Sequence, residues 1–176
     1  MAIIDLLLSL GETNNPLLNS QGGVIVHGIV LAIHNILRWV VLILAVVALF
    51  RAYLGWFGKR EYTETDRKVG VYFSVSLDIQ LLLGLLLYIF LSPITRTAFQ
   101  DFSSAMTIPD IRYFAVEHIL MMILAVIIVH VGTIFSKRAI SDISKFRRAA
   151  IWYTVATLVV ILAIPWWRPL LPGFGA

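Results

Sequence analysis

Seven ionisable side chains interrupt the apolar stretches of this sequence, and they are its candidates for chemistry. They are His27, His34, Arg38, Asp78, Glu117, His118 and His130. Titratable groups are costly inside a membrane and usually mark a ligand, ion or proton site. Neutral imidazole ligates metals and haem iron, whereas carboxylates and guanidinium groups move protons or pair with charges on a ligand. We therefore expect any chemistry to lie among these residues.

Depth in the membrane separates these candidates. With a rise of ~1.5 Å per residue, His34 lies ~16 Å and His118 ~9–12 Å below the outer surface, and Asp78 lies ~15 Å from the opposite one. His27 and His130 fall near the two surfaces. In an up-down four-helix bundle, the first and third helices are diagonal across the core. Two histidines at matching depth on those two helices can hold one flat ligand between them, so we expect His34 and His118 to supply the two axial ligands that a bis-imidazole b-type haem requires.

The other candidates have several possible roles that the sequence leaves open. His27 shares a helical face with His34, so it could bind a haem propionate, ligate a second haem or lie at the interface. Arg38 could pair with Asp78, bind a propionate or compensate Glu117. Asp78 could instead support a ligating histidine or accept protons from a quinol. Glu117 is rotated by ~100° from its neighbour at 118, so we expect it to face another helix or subunit.

The composition indicates whether the chain folds in water or in a lipid bilayer. It has 176 residues, of which 60% are hydrophobic and 14% charged, with a mean hydropathy of +0.90. Soluble domains carry about 25% charged residues. The lack of cysteine excludes disulfides, covalent c-type haem and thiolate-bound metal centres. These features predict a membrane protein whose partner is the lipid bilayer and not nucleic acid.

Four apolar stretches are long enough to cross a bilayer, at about 24–54, 69–91, 113–135 and 149–167. The predicted fold is all-α, an integral membrane up-down four-helix bundle over residues 24–168. Thr63 and Asp66 have the spacing of a capping box, so the second helix should begin before it enters lipid. Residues 1–23 are expected to form an outer N-terminal segment that lies at the interface and is not a signal peptide, and residues 169–176 a short C-terminal tail.

The distribution of basic residues predicts the orientation. Ten of the fourteen lysines and arginines lie in the first and third connections, namely Arg51, Lys59, Arg60, Arg67, Lys68, Lys137, Arg138, Lys145, Arg147 and Arg148. Basic residues are enriched in cytoplasmic loops. Both termini should therefore lie outside, on the periplasmic side of a bacterial inner membrane.

Four segments together resemble a small bacterial family of four-helix membrane proteins that is often labelled cytochrome b. They are HNILRW at His34–Trp39, YTETDRKVG at Tyr62–Gly70, DIQLLLGLLLY at Asp78–Tyr88 and VEHILMM at Val116–Met122. The resemblance extends from about residue 27 to residue 167. The family-like positions are His34, Arg38, Trp39, Gln80, Gly84, Glu117 and His118. The family often has histidine where this chain has Asp78.

The resemblance and the depth-matched histidines predict a membrane-integral b-type cytochrome, an electron-transfer subunit of a quinone-linked respiratory or photosynthetic complex. Haem b would lie between His34 and His118, and a quinone is a second candidate ligand. Such a chain works with other membrane redox subunits, as an oligomer or part of a complex, and is not an enzyme alone. Two alternatives stay open: a structural or assembly subunit without redox function, and a chlorophyll-binding subunit.

Overall fold

The computed structural model describes residues 21–168, and this part of the chain is all-helical, with no β-strand. The predictions for residues 1–20 and 169–176 concern segments outside the described residues. In chain order, the elements are α1 (Gln21–Phe57), α2 (Glu64–Leu86), a first π turn (Leu87–Leu91), α3 (Pro93–Gln100), α4 (Phe102–Ala105), α5 (Pro109–Arg112), a second π turn (Tyr113–Glu117), α6 (His118–Lys137) and α7 (Asp142–Leu162).

Three helical stretches are long and apolar enough to cross a membrane: Gly22–Phe57, Glu64–Leu91 and Pro109–Lys137. They contain the first three predicted spans and indicate a multi-pass membrane protein. The fourth predicted span corresponds to α7, with different bounds. This helix begins at Asp142, where the Ser141 side chain caps it, and it ends at Leu162 instead of continuing to residue 167. Pro165 prevents it from continuing.

The four long helices pack side by side in a ring. Helix α1 contacts α2 and α7, and α6 contacts the same two helices, so α1 and α6 face each other diagonally as expected. Small side chains allow close approach: Ala45, Ala48 and Ala52 on α1 are buried, as are Ala149 and Ala156 on α7.

A charged junction connects α1 to the start of α2. The predicted capping box is confirmed: the Thr63 N–H donates to Asp66 Oδ2 at 2.9 Å, and the Asp66 N–H donates to Thr63 Oγ1 at 3.4 Å. Arg51 of α1 donates from Nε to Asp66 Oδ1 at 2.8 Å, and its Nη2 lies 2.8 Å from the same oxygen. The junction lies beyond the apolar part of both helices, and its bonds hold the end of α1 against the start of α2.

Candidate ligand site between the helices

A cavity of about 730 Å³ lies among the long helices. Its volume is within the ~300–1,000 Å³ that small-molecule and cofactor sites occupy. The structure brings four predicted site residues to its wall: His27, His34, Arg38 and His118. The lining residues of α1 extend from His27 to Val41, which is a rise of ~21 Å along the helix. The cavity is thus a deep, mostly apolar site with a few polar groups.

His118 is held in one tautomer by the end of α7. Its Nδ1 lies 2.7 Å from the backbone oxygen of Ala163, the residue that follows the last turn of this helix. A carbonyl oxygen can only accept, so Nδ1 carries the proton and donates, and Nε2 of the neutral ring keeps its lone pair. The last carbonyls of a helix have no partner within the helix, so this oxygen is available. Histidines that ligate metals are commonly oriented by such a bond.

His34 presents a buried polar atom that the described chain does not satisfy. Its Nδ1 has no hydrogen-bond partner among residues 21–168. An unsatisfied buried nitrogen is costly, so a bound group would stabilise this site. Gly84 on α2 lies opposite the ring: a Cβ there would be 3.4 Å from His34 Cε1. The glycine therefore keeps space open beside the imidazole.

Gln80 holds the backbone of α1 beside the cavity. Its Nε2 donates to the carbonyl oxygen of His34 at 3.0 Å. The Gln80 side chain is buried, and within the described residues its Oε1 has no hydrogen-bond partner. The sequence marked Gln80 only through the family resemblance, without a role. The contact shows that it supports the helix backbone at the level of His34.

The charge on the cavity wall is positive. Arg38 and Arg168 line it, and the lining residues of the described chain include no aspartate or glutamate. Arg38 is buried, whereas Arg168 is exposed and lies 3.4 Å from the Asp110 carboxylate. Arginine side chains on the wall of an apolar site can bind acidic groups of a ligand. The chemistry of this wall therefore suits an apolar molecule that carries acidic groups.

The two π turns flank the cavity. Leu87 and Tyr88 of the first turn and Phe114 of the second line it. The Tyr88 hydroxyl donates to the backbone oxygen of Ala115 at 2.7 Å, so it joins the two turns. A π turn places an extra residue in a helix and occurs often at functional sites. The second turn directly precedes His118 and thereby influences the direction in which the imidazole points.

Sequence reasoning did not identify Tyr88, Tyr113, Ala163 or Arg168. The Tyr113 hydroxyl donates to the same Ala163 oxygen as His118, at 2.8 Å. Backbone acceptors and π turns have no sequence motif. The only signal for the Ala163 acceptor is Pro165, because a proline ends a helix and so leaves the carbonyl oxygens before it without a partner in the helix. Arg168 lies one residue beyond the predicted fourth span, where a cation is expected at the membrane surface.

Two predicted site residues lie elsewhere. Asp78 is 3.1 Å from Nε2 of His130, and its carboxylate therefore faces α6. Glu117 accepts from Nε of Arg112 at 2.8 Å at an exposed position. Neither acid lines the cavity in the described part of the chain.

Comparison of the chain with family models, curated proteins and solved structures finds no significant match, and the resemblance to the cytochrome b family stays a prediction.

Proposed function

We propose that this protein is a membrane-integral b-type cytochrome, an electron-transfer subunit of a quinone-linked respiratory or photosynthetic complex, with haem b bound noncovalently between His34 and His118. One observation carries the proposal. The Ala163 carbonyl fixes the tautomer of His118 so that Nε2 keeps its lone pair, and His118 shares a 730 Å³ cavity with His34, whose buried Nδ1 is unsatisfied by the described chain. The family resemblance supports the same assignment.

The architecture we propose is an up-down four-helix bundle with both termini outside the bacterial inner membrane, in which α7 is the fourth crossing. Neighbouring helices in bundles are ~8–10 Å apart, so diagonal axes are separated by ~11–14 Å. This separation accommodates two imidazoles with a flat ligand between them. The basic residues of the first and third connections supply the cytoplasmic charge.

Each wall residue has a defined task in this proposal. Haem supplies one-electron redox chemistry when it is bound, and two histidine ligands favour electron transfer over oxygen chemistry. Gly84 leaves room for the macrocycle, and Ala163 with Tyr113 orients the His118 ring. Arg38, Arg168 and His27 provide positive charge or hydrogen bonds for the propionates.

The charge of the wall favours haem over the alternatives. Haem carries two free carboxylates, whereas those of chlorophyll are esterified, so a wall with two arginines and no described acid suits haem better. In a purely structural subunit, the described chain would retain a large cavity and a buried unsatisfied nitrogen, both of which are destabilising.

Purification of the chain in detergent, followed by a pyridine haemochrome assay and a reduced-minus-oxidised spectrum, tests the assignment. We expect a low-spin haem spectrum that is lost in His34→Ala and in His118→Ala, because each removes one axial ligand. His130→Ala is the matched control and should keep the spectrum, since His130 lies outside the cavity. A colourless protein with native helix content would contradict haem and chlorophyll alike, and a far-red pigment band would identify chlorophyll.

A further inference from the structure

Asp78 and His130 form a hydrogen-bonded pair on the outside of the ring, with Asp78 in the middle of the Glu64–Leu91 span and His130 about 10 Å from the end of the Pro109–Lys137 span. Asp78 lies ~20 Å from either end of the Glu64–Leu91 span. The side chains of His130 and Asp78 are 44% and 36% exposed. The pair therefore belongs to the surface of the chain, and neither residue lines the cavity as the structure describes it.

The surroundings of the pair are apolar. One helical turn away on the same faces, Val75 and Leu82 of α2 and Ile127 and Ile134 of α6 are exposed. We call these four residues together with Asp78 and His130 the α2–α6 face. Lipid tails cannot hydrogen-bond a carboxylate or an imidazole, so half-exposed polar groups at this depth are costly. A protein surface that offers polar partners would remove this cost.

The pair is self-complementary. Oδ1 of Asp78 and Nε2 of His130 are 3.1 Å apart. The other carboxylate oxygen of Asp78 and the other ring nitrogen of His130 are then available for bonds to a second molecule. When the pair holds two protons, either as carboxylate with imidazolium or as carboxylic acid with neutral imidazole, these remaining atoms comprise one acceptor and one donor. A two-fold axis along the membrane normal brings residues of equal depth together. It would place the Asp78 of one copy opposite the His130 of the other, and both remaining atoms of each pair would be satisfied.

We propose that the α2–α6 face is the interface of a homodimer, in which Asp78 and His130 of one chain bond His130 and Asp78 of the second chain. The exposed Val, Leu and Ile side chains of the face surround these bonds and shield them from lipid. Packing and interhelical hydrogen bonds drive such association in membranes. The inference rests on the hydrogen-bonded pair and its depth and is independent of the proposed haem.

The chain has no cysteine, so single cysteines can report this contact. In native membranes under oxidising conditions, we expect co-expressed Leu82→Cys and Ile127→Cys chains to form disulfide-linked dimers, because the axis that sets Asp78 opposite His130 also sets residue 82 of one chain opposite residue 127 of the other. Ile43→Cys is the matched control: this residue is exposed on α1, on the opposite side of the ring. No dimer between positions 82 and 127, an equal yield with Ile43→Cys, or cross-links only to a different protein would overturn the proposal.

The polar bonds need a separate test. In the background of the Leu82→Cys and Ile127→Cys chains, His130→Leu should reduce the dimer yield about tenfold, because the symmetric bonds are lost. The double exchange Asp78→His with His130→Asp restores the donor and the acceptor and should restore the yield. Circular dichroism checks folding, and a retained haem spectrum in His130→Leu separates this result from the haem proposal. An unchanged yield in His130→Leu, or no recovery in a folded double exchange, would contradict the bonding scheme.

Discussion

A single backbone oxygen determines the chemistry available at His118. The Ala163 carbonyl accepts from His118 Nδ1 and from the Tyr113 hydroxyl, and it is available because α7 ends at this point. The sequence placed His34 and His118 at one depth by counting residues, and the structure brings both to one cavity. Counting could not reveal the tautomer, because the acceptor is a main-chain atom 45 residues away.

Gly84 provides a test of the open space beside His34. We expect Gly84→Leu to abolish haem binding, because a side chain that begins 3.4 Å from His34 Cε1 would extend into the cavity. Helix formation should not suffer, since glycine is less favourable than leucine by roughly 1 kcal/mol in a helix. The measurement is haem stoichiometry in purified protein together with helix content.

Gly28→Leu is the control for this substitution. A Cβ at Gly28 meets no atom of residues 21–168 within 4 Å, so the added side chain has space there and haem binding should be unchanged. Full haem occupancy in Gly84→Leu would show that the ligand does not occupy the space beside this glycine.

The helices were easier to predict than their ends and irregularities. Hydropathy located α1, α2 and α6, because lipid requires about 20 apolar residues for each crossing. The Thr63–Asp66 pattern located the start of α2, since capping depends on local sequence. The π turns could not be predicted because tertiary contacts hold them, such as the bond from Tyr88 to Ala115. Counting residues from the membrane surfaces also did not predict that Asp78 pairs with His130. Side chains lean towards the N-terminus of their own helix, so on the antiparallel helices α2 and α6 they lean in opposite directions along the membrane normal.

The start of α2 should be sensitive to the loss of one carboxylate. Asp66 is buried, caps the helix and pairs with Arg51, whose side chain is 30% exposed. Asp66→Ala should lower the free energy of unfolding by about 2–3 kcal/mol, because a cap and a partly buried ion pair are lost together. Denaturant titration in detergent measures the change.

Glu64→Ala is the matched control in the same first turn. Glu64 pairs with Arg67 at an exposed position, so its loss should lower the free energy of unfolding much less than the loss of Asp66. Equal effects at the two positions would show that the junction with α1 does not stabilise the fold.

The basic residues of the molecule are distributed unevenly between the two ends of the ring of long helices. The connection between α1 and α2, the connection between α6 and α7 and the helix ends that flank them carry ten of the fourteen lysines and arginines. The segment between α2 and α6 contains the short helices α3, α4 and α5 and carries few. This asymmetry predicts that the short helices lie outside and the two basic connections face the cytoplasm.

Cysteine labelling in intact cells tests this orientation. A membrane-impermeant maleimide should label Ser103→Cys, which lies in α4, without permeabilisation. Ile140→Cys lies in the second basic connection and is fully exposed in the structure, so it should react only after the cells are opened. Labelling of Ile140→Cys in intact cells, with Ser103→Cys protected, would establish the inverted orientation.

The end of α7 has a consequence for biosynthesis. The ribosome makes His34 early, but the carbonyl that fixes the His118 tautomer belongs to Ala163, near the last described residues. At ~5–20 residues per second, this acceptor follows His34 by on the order of ten seconds. Until α7 has docked, the imidazole can adopt either tautomer and the wall formed by Ala163 and Ile164 is missing. For the proposed haem, we therefore expect loading to follow the docking of α7.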